Sequence, residues 1–309
     1  MTEYLPEGKR IETAQNSEYL SSPKGIREAM ARGVILEARA ILCDSGHNLS
    51  VDLGCMRGYV PREEGAIGIR EGTVRDIAVI SRVGKAICFL VSEIVTDAGG
   101  RETAILSRAQ VQRRCVDEYI SYLSPGDIIP ARVTHLEPFG AFCDVGCGVV
   151  ALMPIDAISV SRIEHPDERF IPGMDIRAVI KSRIGTRITL SHKELLGTWE
   201  ENAADFAVGE TVPGVIRSIE NYGAFVELTP NLAGLAELRD NLRVGDAASV
   251  YIKSIIPQRM KIKLIIIDSF QQPPTVAPPR YRLSEGHIDR FIYSPTGCEK
   301  TIVTDFLTQ

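Results

Sequence analysis

The sequence predicts an all-β chain: a tandem array of three five-stranded barrels with short connecting helices. Three observations carry this. Two blocks, beginning at Gly126 and Gly209, repeat one another at a nearly fixed offset. Each block breaks into five short runs that alternate apolar and polar residues, the period of a half-buried strand. A third, divergent copy opens near Gly33.

The repeat is explicit. GDIIPARVTHLEPFGAFCDV from Gly126 aligns with GETVPGVIRSIENYGAFVEL, 83 residues on at Gly209. Pro130 meets Pro213, Phe139 meets Tyr222, and Gly140-Ala141-Phe142 meets Gly223-Ala224-Phe225. Leu152 still meets Leu235 without a gap. Gly173 then meets Gly245 at an offset of 72, so the last unit is 11 residues shorter in one loop. Loops between matching strands tolerate such changes.

In the second unit the alternation predicts strands at 128–136, 140–145, 149–153, 175–182 and 187–191. In the third it predicts 211–220, 223–228, 232–237, 248–255 and 261–267. Val250 and Ile252 face one way, Tyr251 and Lys253 the other. Five short strands per unit suit a Greek-key barrel of the OB type, which removes sheet edges by closure. Pro130 and Pro213 fall early in their strands, where a missing N–H is tolerated. The first copy matches through GVILEARAILCDSGHNLSVDLGCMRGYVPREE, with later strands expected in VRDIAVISRV, KAICFLVSEIV and ETAILSRAQV.

Between units two and three, SHKELLGTWEENAADF spaces Leu195, Leu196, Trp199 and Ala203 as a helix does, with Ser191 as a cap. Trp199, the only tryptophan, is expected to anchor that helix on a barrel. The expected boundaries are an arm at 1–32, loose except for a helix in SPKGIREAMARG; barrels at 33–118, 125–195 and 208–268; and a C-terminal extension at 269–309. The extension opens with the polyproline-like linker QQPPTVAPP, followed by a helical turn and a β-pair that could dock on a barrel.

Composition limits the function. Hydrophobic residues make up 44% and charged residues 24%, a globular balance. The expected location is cytoplasmic: no apolar run is long enough to span a membrane, and the N-terminus lacks a signal-peptide core. The seven cysteines form no C-x-x-C pair and read as reduced thiols. Cys143, Cys147 and His135 lack a fourth ligand and zinc-like spacing, so no metal is expected. No hydrolase triad, phosphate loop or metalloprotease motif is present, so neither catalysis nor a cofactor is expected. Net charge is −5, which argues against binding nucleic acid by bulk positive charge. Any such binding must combine stacking with local cations.

The residues supply both. Gly126…Phe139-Gly-Ala-Phe142…Leu152…Gly173…Arg187-Ile-Thr-Leu-Ser191 resembles the S1 RNA-binding domain family, as does Gly209…Tyr222-Gly-Ala-Phe225…Gly234-Leu235…Gly245-Asp246…Lys261-Ile-Lys-Leu264. The tandem array, opened by its VDLG…GYVP copy, is similar to bacterial small-subunit ribosomal proteins built from these repeats. The resemblance implies single-stranded RNA, specifically mRNA, as partner. It implies that Phe139, Phe142, Tyr222 and Phe225 stack on bases and that Arg187 and Lys261 contact the strand. The family's histidine after the third-strand Gly-Leu is replaced by Pro154 and Glu237, and its aspartate before the last strand by Arg183 or Ile256.

Physics supports the same residues independently. An aromatic ring on an open barrel face stacks on any base, for about 1–3 kcal/mol each. Lys181, Arg183 and Arg187, and Lys253, Lys261 and Lys263, alternate with inward aliphatics and offer local phosphate contacts. The motif glycine is expected to let the strand bend and a ligand backbone approach. In copy one, Asp44-Ser45-Gly46-His47 replaces the aromatic motif. A barrel kept without that surface suggests docking, and the resemblance implies the small ribosomal subunit as its target. Two other readings remain: a ribosome-independent regulator or RNA-decay accessory protein, and a protein-binding scaffold.

Overall fold

Alternating burial builds three closed barrels. In the computed structural model, which describes residues 4–185, 187–271 and 276–307, β1 (Leu36–Cys43), β2 (Leu49–Asp52), β3 (Arg57–Val60), β4 (Ala86–Thr96) and β5 (Glu102–Ser107) close in the order β1-β2-β3-β5-β4. Barrel two uses β6 (Ile128–Glu137), β7 (Gly140–Asp144), β8 (Val150–Pro154), β9 (Asp175–Ile184) and β10 (Arg187–Ser191) in the same cyclic order. Barrel three repeats it with β11 (Thr211–Glu220), β12 (Gly223–Thr229), β13 (Leu232–Ala236), β14 (Ala247–Ile256) and β15 (Lys261–Phe270). In each barrel the third and fifth strands run parallel and the other pairs recorded run antiparallel, as the OB topology requires.

The chain divides into two compact units, residues 1–123 with 144–150, and 124–143 with 151–309. In the first, Leu36, Ala38 and Ala40 of β1 enter a core with Leu49, Val51, Ile87, Phe89 and Leu106. Two of the later strand expectations are corrected. VRDIAVISRV holds the short helix α3 (Ile77–Ile80; fourth strand otherwise intact), because Val79 alone of that turn is buried while Ile77 and Ile80 face solvent. ETAILSRAQV leaves the sheet at Ser107, whose hydroxyl accepts from Gln110 N and starts an α-helix at Arg108–Glu118.

The arm at 1–32 is also better ordered than expected. It carries helices at Ala14–Leu20 and Pro23–Arg32, capped by Thr13 and Ser22. Glu37 on β1 organises it: its carboxylate accepts from the backbone N–H of Gly8, Arg10 and Ile11 at 2.7–2.8 Å. Burial pushes the Glu37 carboxyl up despite these bonds. In the same unit the buried Glu7 pairs with Arg108 at 2.6 Å, and burial with the nearby Glu7 raises Asp144 to about 7. A single sequence offers no signal for such long-range polar contacts.

In the second unit the connecting helix is two pieces. A 3-10 turn at Lys193–Leu196 breaks at Gly197, whose φ is 89°. A five-residue α-helix follows at Trp199–Ala203, capped by Thr198 in a reciprocal box with Glu201, not by Ser191. Trp199 does anchor it: the ring is 2% exposed and packs into the core of barrel three beside Ile216, Val226 and Leu264. The C-terminal extension forms a β-pair, β16 (Arg290–Ile292) with β17 (Val303–Asp305), and no helical turn among the described residues. Part of the linker reading, 272–275, lies outside the described residues. Ile288 and Phe306 pack on Val179 and Leu195 of barrel two, so the extension docks on barrels of its own unit. Among the described residues no helix is long and apolar enough to cross a membrane.

Candidate nucleic-acid interface

Each ring pair sits at the mouth of a first hairpin. In barrel two, Phe139 lies in the β6–β7 turn and is 55% exposed, while Phe142 on β7 is half-buried. Their rings meet edge to face, with centroids 6.0 Å apart and planes at 88°. Barrel three repeats this closely. Tyr222 is 65% exposed, Phe225 half-buried, and the rings lie 6.2 Å apart at 90°. The perpendicular pair fixes both rings and leaves the outer one open to a base.

The glycine between them makes a close approach within the barrel itself. A Cβ on Gly140 would lie 2.3 Å from Met153 O, and one on Gly223 would lie 2.6 Å from Ala236 O. The close approach is by the neighbouring strand of the same barrel, which lets the hairpin curl shut.

The register places cations beside the rings. In barrel three, Ser218 pairs with Phe225, Phe225 with Leu235, and Leu235 with Lys263, one continuous outward row. Lys261 is exposed at the start of β15 and pairs with Ile256. In barrel two Arg187 is exposed at the start of β10 and pairs with Ile184, while Arg183 pairs with Ile188. Thr189 pairs with Leu152, taking the place that Lys263 holds beside Leu235. Lys181 is the extra residue of a bulge: Ile180 pairs with Leu190 and Ser182 with Thr189. Lys253 is the same, skipped between Ile252 and Ser254. Such bulges re-aim a side chain.

One ring escaped the sequence reading. His135 stacks on Phe142, with centroids 6.3 Å apart and planes at 20°, and its side chain is 64% exposed. Its Nε2 lies 2.7 Å from Glu137. The signal was available: at the repeat offset His135 stands where Ser218 faces Phe225. Barrel two thus presents three rings and barrel three two.

Barrel one has no phenylalanine or tyrosine at the hairpin mouth; the half-buried Tyr59 stands instead on its third strand, paired with Ser50 and Ile105, and His47 lies in the turn. Asp44 closes an Asx turn by accepting from Gly46 N and Asn48 N, and hydrogen bonds from Asn48 hold its carboxyl below the usual range. His47 and Arg62 both engage Asp76, at 3.2 and 2.6 Å. The bulge persists between Val91 and Glu93, but its extra residue is Ser92. Ile41, Leu42, Ile77, Ile80 and Val83 are exposed on this unit instead. All seven cysteines lie outside any disulfide, and no metal-holding cluster of His, Cys, Asp or Glu occurs among the described residues.

Residues 122–193, barrel two with its flanks, match the S1 RNA binding domain family. That segment is similar to the S1 RNA-binding domain over barrel two. The resemblance read from the aromatic-Gly-Ala-Phe motif is therefore borne out. Small ribosomal subunit protein bS1 of Staphylococcus aureus is 30% identical over 274 residues, covering 86% of this chain and 65% of that protein. Its counterpart in Leuconostoc lactis is 31% identical over 84% of this chain and 61% of its own length. The chain thus spans somewhat less than two thirds of these relatives. Among solved structures, MJ1198 of Methanocaldococcus jannaschii is 34% identical over 19% of this chain and 90% of that one, with a TM-score of 0.19. The matched segment ends within the 3-10 turn that leads to Trp199, and barrel three carries the same ring pair on the same topology.

Proposed function

We propose that this chain binds single-stranded RNA through barrels two and three and acts in translation, in the cytoplasm, as a small-subunit ribosomal-protein-like factor that holds mRNA. It performs no catalysis. The carrying observation is the duplicated site: an exposed ring set edge-on against a half-buried one, with a bulged lysine, in both barrels. Phe139, Phe142, Tyr222 and Phe225 stack on bases. Lys181, Arg183, Arg187, Lys253, Lys261 and Lys263 contact phosphates. Stacking is indifferent to base identity, so the site accepts pyrimidine runs and grips with little net charge.

Barrel one serves as the docking module for the small subunit. Its missing rings, the carboxylates of Asp44 and Asp76, and its exposed aliphatics at Ile77 and Ile80 support this division. Titration of the protein with labelled oligouridine, beside pelleting with purified small subunits, tests both parts. Ile77→Asp with Ile80→Asp is expected to abolish pelleting and leave oligouridine affinity unchanged. Pelleting that survives this change removes the docking role.

A further inference from the structure

Asn231 stands at the β12–β13 turn of barrel three and has no exposed surface. Its amide is fully used. Oδ1 accepts from Val160 N at 3.0 Å, and Nδ2 donates to Lys193 O at 2.8 Å and Gly197 O at 2.9 Å. Its main-chain carbonyl accepts from the Tyr293 hydroxyl. Val160 belongs to the long β8–β9 loop of barrel two, Lys193 and Gly197 to the connection between barrels, and Tyr293 to the C-terminal extension. Three segments far apart in sequence converge on one residue.

The surroundings continue the theme. Ser161 N donates to Pro230 O at 3.0 Å, and Arg169 of the same loop pairs with Glu227 on β12. Arg217 on β11 reaches Glu227 at 3.0 Å and also pairs with Glu168. This loop is the one that is 11 residues longer than its counterpart in barrel three. The extra length is spent on contact with barrel three. The C-terminal extension straps the pair from the other side. His287 meets Asp127 at 2.6 Å and Ile128 N donates to Gly286 O in barrel two, while Phe291, Tyr293 and Ile302 join the core of barrel three. The Asn231 amide is fully satisfied, and among the described residues of this network only Arg169 Nε is buried without a hydrogen-bond partner; a buried polar network so nearly satisfied favours one arrangement.

We infer that Asn231 is a positioning residue that locks barrels two and three into one body, so that both ring pairs read a single continuous RNA strand in a set register. The RNA part rests on the function proposed above. Locked sites act on one strand as a bivalent reader, gaining about 10²–10⁴ in avidity over a single site only when the strand spans both.

The test uses the full chain, oligouridines of increasing length, and Asn231→Asp, which turns two donors into acceptors facing carbonyls. In the wild type, affinity rises steeply once the strand is long enough to reach both barrels. In the variant that rise shrinks at least tenfold, while affinity for the shortest bound oligomer is unchanged. A simple loss of structure would lower both. Tyr293→Phe combined with Arg169→Met, which leaves all barrel cores intact, is expected to act in the same direction. Residual dipolar couplings of the RNA-free protein provide a separate readout. One alignment tensor fits both barrels in the wild type, and two are needed in the variants. An undiminished length response, or two tensors in the wild type, overturns the inference. If oligouridine fails to bind, the RNA reading falls alone, and the couplings still decide whether Asn231 locks the barrels.

Discussion

Lys181 and Lys253 occupy the same place in two barrels: each is the unpaired residue of a β-bulge in the fourth strand, opposite the last strand of its sheet. In barrel one the bulge remains and Ser92 fills it. The frame is thus common to all three barrels, and the cation belongs only to those that carry rings.

The bulged lysines are therefore expected to set part of the salt dependence. Replacing both with alanine is expected to reduce the slope of log K against log salt by about 1.4, at about 0.7 per phosphate contact on a single strand. The wild-type slope itself is expected near −1.5 to −3. Anisotropy titrations across a salt series measure both. A slope unchanged by the double substitution removes the lysines from the interface.

Placing a methyl group on the motif glycine tests the barrel rather than the ligand. Gly140→Ala pushes against Met153 O and Gly223→Ala against Ala236 O, both on neighbouring strands. Overpacking of this kind costs about 1–3 kcal/mol. Denaturant melts are expected to show that loss for either variant, with oligouridine affinity retained under folded conditions.

Much of this was legible in the sequence. The strands of barrels two and three follow from period-two alternation to within a few residues, because one face of each is core and the other solvent. The anchoring of Trp199 followed from helical spacing. What could not be read was carried by contacts distant in sequence. Glu37 orders the arm through backbone donors some thirty residues away. Asn231 looks like an ordinary turn residue until Val160, Lys193 and Tyr293 are placed around it. VRDIAVISRV misled because its β-branched run suits a strand, whereas only Val79 of the α3 turn finds a place in the core.

Acid is expected to loosen the second unit. His192 is buried, its Nδ1–H donates to Ile158 O, its Nε2 accepts from the Tyr281 hydroxyl, and burial lowers its pKa to about 4. Its folded pKa thus lies below the unfolded value near 6.5. Between the two values the unfolded chain binds a proton that the folded chain refuses, so stability falls as pH drops through that window. The loss approaches about 3 kcal/mol near pH 4, at 1.36 kcal/mol per pKa unit. Trp199 fluorescence in urea at pH 7 and pH 4.5 reports it. Equal midpoints would mean that His192 is not held neutral.

His135 gives barrel two a third ring, where barrel three has Ser218. His135→Ala is expected to weaken oligouridine binding by less than Phe139→Ala, because Phe142 stays supported by Phe139. Comparing the two single variants by anisotropy ranks them. The reverse order would place the strand nearer β6 than the hairpin mouth.

The central claim is that paired rings on barrels two and three hold single-stranded RNA. Fluorescence anisotropy of labelled oligouridine with the wild type and with Phe139→Ala/Tyr222→Ala tests it most directly. Each lost stack is expected to cost about 1–3 kcal/mol, so the double variant binds from tens to tens of thousands of times more weakly with its thermal melt unchanged. Equal affinity of the two proteins would contradict the account.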